Sequence, residues 1–356
     1  MANNKINPVK IILLVIITFL LVFLASHSMF KNLSQDSEVI LQGKTMGTTY
    51  HITYINGDLE RSPEYVQEKI DGILKLVNQQ MSTYISTSEL SQFNQFKEIN
   101  TPFAISKDLA KVINEAIALN KVTDGALDVT VGPLVNLWGF GPEKRLNKAP
   151  TAEKIAERKS WTGVDKLKVF EKNGQFYLEK EVPQLYVDLS SIAKGFGVDQ
   201  VARYLDSLGI KNYLVEIGGE IYAKGLNENN KPWQIAIEKP MFHGERAVEA
   251  IVGLDNMGMA TSGDYRNYFE QNGKRFSHEI DPNTGEPIQH RLASITVIAQ
   301  NTMIADGLST GLFVLGEDKA LALAEQKHLA VFLIIKTNDG FIVKTSTEFN
   351  KLINKD

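Results

Sequence analysis

The sequence predicts an α+β fold in which antiparallel sheets pack against helices. Three segments place apolar residues at helical spacing, near 66–77, 109–117 and 198–208. Several other runs have the composition of strands, and tight turns follow two of them, at Gly218-Gly219 and at Asn338-Asp339-Gly340. Because a tight turn joins neighbouring antiparallel strands, we expect the sheets to be antiparallel.

Each predicted helix has a start or a stop signal. Ser62-Pro63 opens the first helix, because a serine side chain caps free N–H groups and proline fits the first turn. Ser106 caps the second helix, which ends near Gly125, and Gly209 closes the third. The predicted strands are 49–55, 213–217, 220–224, 233–238, 247–254, 294–299 and 330–335.

The chain contains a weak internal sequence repeat. An acid and hydroxyls at 188–191 lead through a helix to the hairpin at 213–224, and a similar set at 306–310 leads through helices to the hairpin at 330–344. Two such copies indicate a duplicated α+β unit with a pair of related sites, and chance similarity is the alternative.

Composition excludes several classes of protein. The 356 residues are 43% hydrophobic and 22% charged, which is globular and long enough for one large domain or two. Lys+Arg number 38 and Asp+Glu 42, so the net charge of −4 does not indicate a nucleic-acid partner. The chain has no cysteine, which excludes a disulfide framework, a thiolate zinc site, a cysteine nucleophile and lipid attachment through cysteine.

The N-terminal residues have the pattern of a signal peptide or a membrane anchor. Lys5 and Lys10 precede an apolar run at 11–25, which is shorter than the ~20 residues of a usual spanning helix. The lysines predict that the N-terminus stays in the cytoplasm and that the remainder lies across the membrane. Cleavage and an uncleaved anchor both remain open. The expected organisation is a signal or anchor at 1–30, a tether at 31–38 and one compact domain at 39–356.

Four stretches combine glycines with acids, hydroxyls or aromatic side chains. In the first, Met81-Ser-Thr-Tyr84, the tyrosine leaves a helix and either stacks on a planar ligand or seals the end of the core. In the second, glycines and prolines at 125–142 interrupt large apolar residues. That pattern suits close approach of the backbone to a ligand, or an ordinary buried loop.

The third stretch, at 187–197, precedes a helix and contains Asp188, Ser190, Ser191 and Lys194. Helix N-terminal amides and a lysine suit phosphate, whereas a serine there could equally cap the helix. The glycines follow the lysine, so the stretch is neither a Walker loop nor a dinucleotide fingerprint.

The fourth stretch runs from residue 261 to residue 311. It contains His278 on a predicted strand, and a lone strand histidine is more often structural than catalytic. Asp306, Ser309 and Thr310 are spaced so that one helical turn places them on a common side. Oxygen ligands of that kind suit Mg²⁺ or Ca²⁺, not zinc.

In this order and number, the stretches resemble the ApbE family, the FAD:protein FMN transferases of bacterial envelopes. The resemblance covers residues 40–345 and implies a two-lobed fold with a T-fold-like pseudo-repeat that holds FAD. The matching segments are TMGTTY (45–50), MSTY (81–84), SELSQFN (88–94), GALDVTVGPLVNLWGFGP (125–142), VDLSSIAKGFGVD (187–199), EIGGEIYAKG (216–225), ATSGDYRNYFE (260–270), SHEIDPNTGEPI (277–288) and ADGLSTGLFVLG (305–316).

The resemblance also implies ligand roles for individual residues. It implies FAD contacts from Met46, Tyr84, Ala126, Leu127, Asp128, Asp188, Lys194 and Ile280. It implies a magnesium site formed by Ser191, Asp306, Ser309 and Thr310. Some relatives carry threonine in place of Ser191 and aspartate in place of Ser309, and the second difference removes one negative ligand here.

The implied reaction is Mg²⁺-dependent transfer of FMN from FAD to a Thr or Ser hydroxyl of an acceptor flavoprotein subunit, with release of AMP. His278 is the candidate general base, because histidine ordinarily titrates near neutral pH, and Asp264 or the metal could take that role. The implied acceptors are subunits of the sodium-pumping NADH:quinone reductase or of the Rnf complex. The expected location is the periplasmic face of the bacterial inner membrane, or the periplasm if the N-terminal segment is cleaved. Hydrolysis of FAD to FMN and AMP, and membrane-tethered FAD binding without catalysis, are the alternatives.

Overall fold

The computed structural model describes residues 37–57, 59–141, 149–239, 247–263, 268–271, 274–277 and 279–353. The expected signal or anchor and most of the expected tether lie outside these residues, as do Asp264 and His278. Among the residues described, we find no helix that combines the length and the apolar character needed to cross a membrane.

All three predicted helices form, and the third begins earlier, at Ala193, than its apolar face at 198–208 predicts. The helices are α1 (Pro63–Met81), α2 (Glu89–Gln95), α3 (Lys107–Val122), α4 (Gly132–Trp138), α5 (Ala152–Lys159), α6 (Ala193–Ser207), α7 (Thr302–Leu315), α8 (Glu317–Lys327) and α9 (Thr347–Ile353). At the start of α1 the Ser62 hydroxyl accepts a hydrogen bond from the Tyr65 N–H at 3.3 Å. At the start of α3 the Ser106 hydroxyl accepts one from the Leu109 N–H at 3.2 Å, so both predicted caps are confirmed.

The strands include each of those predicted from the sequence, with small differences in length. They are β1 (Glu38–Thr45), β2 (Thr48–Ile55), β3 (Phe103–Ile105), β4 (Leu167–Lys172), β5 (Gln175–Lys180), β6 (Tyr213–Ile217), β7 (Glu220–Lys224), β8 (Trp233–Lys239), β9 (Ala247–Leu254), β10 (Met257–Gly263), β11 (Tyr268–Gln271), β12 (Lys274–Ser277), β13 (Ile280–Asp281), β14 (Glu286–Pro287), β15 (Leu292–Ala299), β16 (Ala330–Thr337) and β17 (Gly340–Thr345).

One eight-stranded antiparallel sheet organises the chain, with the strand order β1-β2-β6-β7-β10-β15-β16-β17. Its two halves have the same plan: two strands, then helices, then two more strands, side by side in chain order. The halves meet where β7 pairs with β10. The predicted α+β fold with antiparallel sheets, packed helices and a pseudo-repeat is therefore confirmed.

Strand β16 of the main sheet is covered on both faces. Val331 and Leu333 of β16 point into the core formed with the helices, whereas Phe332 and Ile334 point into a second core formed with β8, β9 and α9. Alternate residues of a strand face opposite sides, so a strand buried on both faces reads as a continuous apolar run. Each such buried side chain contributes about 1.5–3 kcal/mol.

Helices α6 and α7, one from each half, pack directly against each other. The Asp199 carboxylate of α6 accepts hydrogen bonds from the Thr302 and Met303 N–H groups at the start of α7, at 2.9 and 3.0 Å. These N–H groups have no partner within their own helix, so Asp199 satisfies them from outside. This contact fixes the start of α7 against α6.

Candidate active site

A cavity of about 930 Å³ lies where the two halves of the fold meet. All four stretches singled out in the sequence contribute to its wall, which also includes the turn between β6 and β7 and the end of β10. Cavities of this size accommodate cofactor-sized ligands.

Most residues with an implied ligand role line this cavity, but two do not. Those in the wall are Tyr84, Ala126, Leu127, Asp128, Asp188, Ser191, Lys194, Ile280, Asp306 and Thr310. Met46 lies between β1 and β2, and its side chain packs against both cores on the helical side of the sheet. Ser309 is buried, and its hydroxyl donates to the Asp306 carbonyl at 2.9 Å and lies 2.8 Å from the Ser262 hydroxyl.

Three charged side chains form the centre of the cavity wall. Lys194 Nζ lies 2.6 Å from Glu220 Oε1 and 3.9 Å from Asp306 Oδ1. Asp306 Oδ2 accepts a hydrogen bond from the Gly195 N–H, in the first turn of α6, at 2.9 Å. Both carboxylates are buried, whereas 29% of the Lys194 side chain is exposed. We refer to Lys194, Glu220 and Asp306 as the charged cluster.

Burial and mutual charge set the pKa values in the charged cluster. Burial raises the pKa of Asp306, against the opposing effects of the Lys194 ammonium and the Gly195 N–H. Burial likewise raises the pKa of Glu220, with Lys194 opposing it. Burial alone would lower the pKa of Lys194, but the charges of Asp306 and Glu220 outweigh it and raise that pKa. Lys194 is therefore a fixed cation at neutral pH.

The 187–197 stretch reaches the cavity as a loop that leads into α6. The Asp188 carboxylate accepts a hydrogen bond from the Ser190 N–H at 2.9 Å, and the Asp188 N–H donates to the Val129 carbonyl at 2.8 Å. Burial raises the pKa of Asp188. Helix α6 begins after Ile192 without a side-chain cap, so the interpretation of a serine as its cap is wrong.

Within the 125–142 stretch, Asp128 and Thr130 fix the conformation of the loop around them. The Asp128 carboxylate accepts hydrogen bonds from the Thr130 N–H and hydroxyl at 2.7 and 2.6 Å. Burial raises the pKa of Asp128, and the bonds from Thr130 oppose that rise. Ala126, Leu127 and Asp128 thus present a fixed edge to the cavity.

Tyr84 lies in the cavity wall with 73% of its surface exposed. The interpretation in which it seals the core is therefore wrong, and its ring is open to a planar ligand. Partial burial and, after it, the charge of Asp188 raise the pKa of Tyr84.

Sequence reasoning missed several polar residues of the wall. Glu220 follows the predicted Gly218-Gly219 turn. The sequence analysis treated it only as part of a hairpin, whereas the structure places it in the cavity wall. Ser262 bridges Ser309 and Thr310 through its hydroxyl, at 2.8 and 3.4 Å. The one signal for Ser262 was its position in the ATSG segment, 260–263.

Comparisons with known proteins agree with this architecture. The model of the ApbE family matches residues 46–333. A Haemophilus influenzae protein named FAD:protein FMN transferase is 64% identical over 320 residues, covering 89% of this chain and 92% of the relative. A Vibrio cholerae protein of the same name is 52% identical, covering 94% of this chain and 99% of the relative.

Solved structures give the same result. The flavin transferase ApbE from Vibrio cholerae superposes with a TM-score of 0.82 at 51% identity, covering 89% of this chain and 99% of that one. The apo flavinyl transferase ApbE from Pseudomonas stutzeri has a TM-score of 0.82 at 40% identity, with coverages of 90% and 98%. By sequence and by fold, this chain belongs to the ApbE family.

Proposed function

We propose that the chain is an FAD:protein FMN transferase that moves FMN from FAD to a Thr or Ser hydroxyl of an acceptor protein and releases AMP. The observation that carries this proposal is the charged cluster, which sets a permanent cation and a buried carboxylate side by side in the wall of a cofactor-sized cavity. Family membership supports the transferase activity, since the relatives of this chain carry that name.

The cavity suits FAD as the substrate. The Lys194 ammonium faces a space in which it can bind the diphosphate, and ion pairing of that kind is stronger in a partly buried site than in water. Gly218 and Gly219 have positive φ angles of 61° and 104°, so the backbone of this turn comes to the cavity without side chains. Tyr84 supplies an exposed ring for the flavin.

The donor set of the wall fits a magnesium ion. Asp306, Ser191 and Thr310 offer oxygen atoms at the cavity, and hard oxygen donors are the ligands that Mg²⁺ prefers. Among the described residues no group of three or more acidic or histidine side chains could hold a metal. With few protein carboxylates, we expect water and FAD phosphate oxygens to complete the shell, as is usual for Mg²⁺. A magnesium ion bound there would neutralise charge on the diphosphate.

The chain's own residues would perform the remaining steps. Lys194 would hold the phosphate oxygens in place as negative charge builds on them. His278 remains our candidate base for the acceptor hydroxyl, with Asp264 as the alternative, and both lie outside the described residues. Ser309 would contribute indirectly, by holding the cavity wall in place, because its hydroxyl is already bonded to Ser262 and to the Asp306 carbonyl.

The proposed setting is the periplasmic face of the inner membrane, with residues 1–30 as anchor or cleaved signal. The lysines and the apolar run of that segment support this orientation. The proposed acceptors are envelope-facing flavin subunits of the sodium-pumping NADH:quinone reductase or of the Rnf complex.

One assay separates the proposal from its alternatives. The purified chain is mixed with FAD, Mg²⁺ and a candidate acceptor subunit, and the products are analysed by mass spectrometry. An acceptor heavier by one FMN, together with free AMP, supports transfer. Free FMN and AMP with an unmodified acceptor would indicate hydrolysis, and intact FAD after long incubation would indicate binding alone.

A further inference from the structure

The charged cluster contains one more carboxylate than the proposed reaction uses. Glu220 comes from β7, just after the turn that joins it to β6, and Asp306 comes from α7. Lys194 lies between them but is not shared equally: its Nζ contacts Glu220 Oε1 at 2.6 Å and stays 3.9 Å from Asp306 Oδ1. Lys194 thus forms its close ion pair with Glu220 and not with Asp306.

Among the residues that the structure describes, this asymmetry leaves one oxygen of Asp306 without a close partner. Asp306 Oδ2 accepts the Gly195 N–H at 2.9 Å, whereas the 3.9 Å between Oδ1 and Lys194 exceeds hydrogen-bond distance. Asp306 is also only 3% exposed, and it lines the cavity. A cation that entered the cavity would find Oδ1 available.

Without Glu220, the ion-pair partner left to the Lys194 ammonium among the described residues would be Asp306, at 3.9 Å. A movement of about an ångström would convert the 3.9 Å approach into a direct ion pair, and such a pair is favourable between partly buried groups. The ion pair would occupy the oxygen that a metal needs. Lysine and metal therefore compete for Asp306.

We propose that Glu220 is a positioning residue that holds Lys194 away from Asp306 and so keeps one oxygen of Asp306 open to a divalent cation. This inference rests on the metal site of the proposed function and adds a residue that determines its affinity. Glu220 acts here through Lys194, and not as a ligand. The rival explanation is direct ligation, since Glu220 Oε2 is buried without a hydrogen-bond partner among the described residues.

A double-mutant cycle on metal binding tests the proposal without FAD or acceptor. Mn²⁺, which prefers similar oxygen ligands, is titrated by calorimetry into the full-length native protein, Glu220→Gln, Lys194→Met and the double variant. We expect Glu220→Gln to weaken Mn²⁺ binding about tenfold, within the range for residues that orient metal ligands. In the Lys194→Met background the same change should have less than about a twofold effect, because the competing ammonium is gone.

Matched controls test whether weaker Mn²⁺ binding results merely from the loss of a negative charge or from the loss of folding. Glu179→Gln removes the acid from another lysine–glutamate pair, with Lys168 at 3.4 Å on the surface of β4 and β5, and should leave Mn²⁺ affinity unchanged. Thermal unfolding and circular dichroism report whether each variant folds. Glu220→Ala, which also removes the acceptor oxygen, should weaken Mn²⁺ binding at least as much as Glu220→Gln and serves if the latter does not fold.

The remaining outcomes overturn the inference in distinguishable ways. If Glu220→Gln weakens binding equally in both backgrounds, Glu220 is a ligand or a general source of charge, and only this inference fails. If Glu220→Gln has no effect, the lysine does not compete, and again only this inference fails. If the native protein binds no Mn²⁺ at Asp306, the magnesium site of the proposed function fails with it.

Discussion

Gly195 lies in close contact with α7, and its replacement by alanine tests whether that contact sets the geometry of the site. A Cβ atom at this position would lie 2.7 Å from the Thr302 carbonyl carbon and 2.8 Å from Asp306 Cβ. Carbon atoms in van der Waals contact are about 3.5–4.0 Å apart, so the helices would have to separate by roughly 0.7 Å or more. Neither obstacle is the end of a flexible side chain that could turn away.

The expected cost follows from two opposing effects. Overpacking of a well-packed interior costs about 1–3 kcal/mol, and the backbone obstacle places Gly195→Ala toward the upper part of that range. The better helix propensity of alanine recovers up to about 1 kcal/mol. We therefore expect Gly195→Ala to lower the free energy of unfolding by about 1–2 kcal/mol. The displaced Asp306 should also bind Mn²⁺ less tightly.

Gly72 offers a matched control within a helix. It lies in α1, and a Cβ atom there would meet nothing within 4 Å. Gly72→Ala should therefore raise the free energy of unfolding by about 0.5–1 kcal/mol and leave Mn²⁺ affinity unchanged. Urea unfolding and calorimetry measure both quantities for the two variants. Equal stability and equal Mn²⁺ affinity of Gly195→Ala and the native protein would refute the role of this contact.

Three further predictions concern single side chains. Asp306→Asn should abolish Mn²⁺ binding and FMN transfer. The protein should stay folded, because the amide oxygen can still accept a hydrogen bond from the Gly195 N–H. Calorimetry and the acceptor assay measure these effects, and retained Mn²⁺ binding would remove Asp306 from the metal site. His278→Ala should slow FMN transfer more than it weakens FAD binding, and an unchanged transfer rate would exclude the histidine as the base. Burial lowers the pKa of Lys180 to about 8, from an ordinary value of 10.5, so between those pH values the unfolded chain binds more protons than the folded one and stability should rise with pH. Lys180→Met should lack that rise in urea unfolding across the same pH range, and parallel pH profiles of the two proteins would contradict the shift.

Local structure was largely predictable because its causes are local. Ser62 and Ser106 cap the helices that they were expected to cap, and the Gly218-Gly219 turn joins β6 to β7 as predicted. The apolar face at 198–208 identified α6, but the helix begins earlier, at Ala193. Its first five residues, Ala193-Lys-Gly-Phe-Gly197, contain only one large apolar side chain, that of Phe196, so periodicity gave no signal there.

The site was less predictable because it depends on distant contacts. Lys194 and Asp306 are far apart in the chain, and their proximity arises from the packing of α6 on α7. Helical spacing correctly put Asp306 and Thr310 on one side of a helix, but the same side also faces Ser262, which engages Ser309. Helical spacing alone does not distinguish a side chain that faces the cavity, such as that of Thr310, from one that is bonded within the cavity wall, such as that of Ser309. The one signal for Glu220 was its position in the EIGGEIYAKG segment, 216–225, since any polar residue could follow that turn.

The duplicated plan of the fold explains why the cavity lies where it does. Lys194 and Glu220 belong to the first half of the main sheet and its helices, whereas Ser262 and Asp306 belong to the second. Neither half holds the charged cluster alone, and the pairing of β7 with β10 brings the two together. Lys194 lies on α6 and Asp306 on α7, so a shift of one half against the other would change the distance between them. The hydrogen bonds from α7 to Asp199 of α6 oppose such a shift. The stability of the junction and the affinity of the metal site should therefore change together, whereas a change remote from it, such as Gly72→Ala, should alter stability alone.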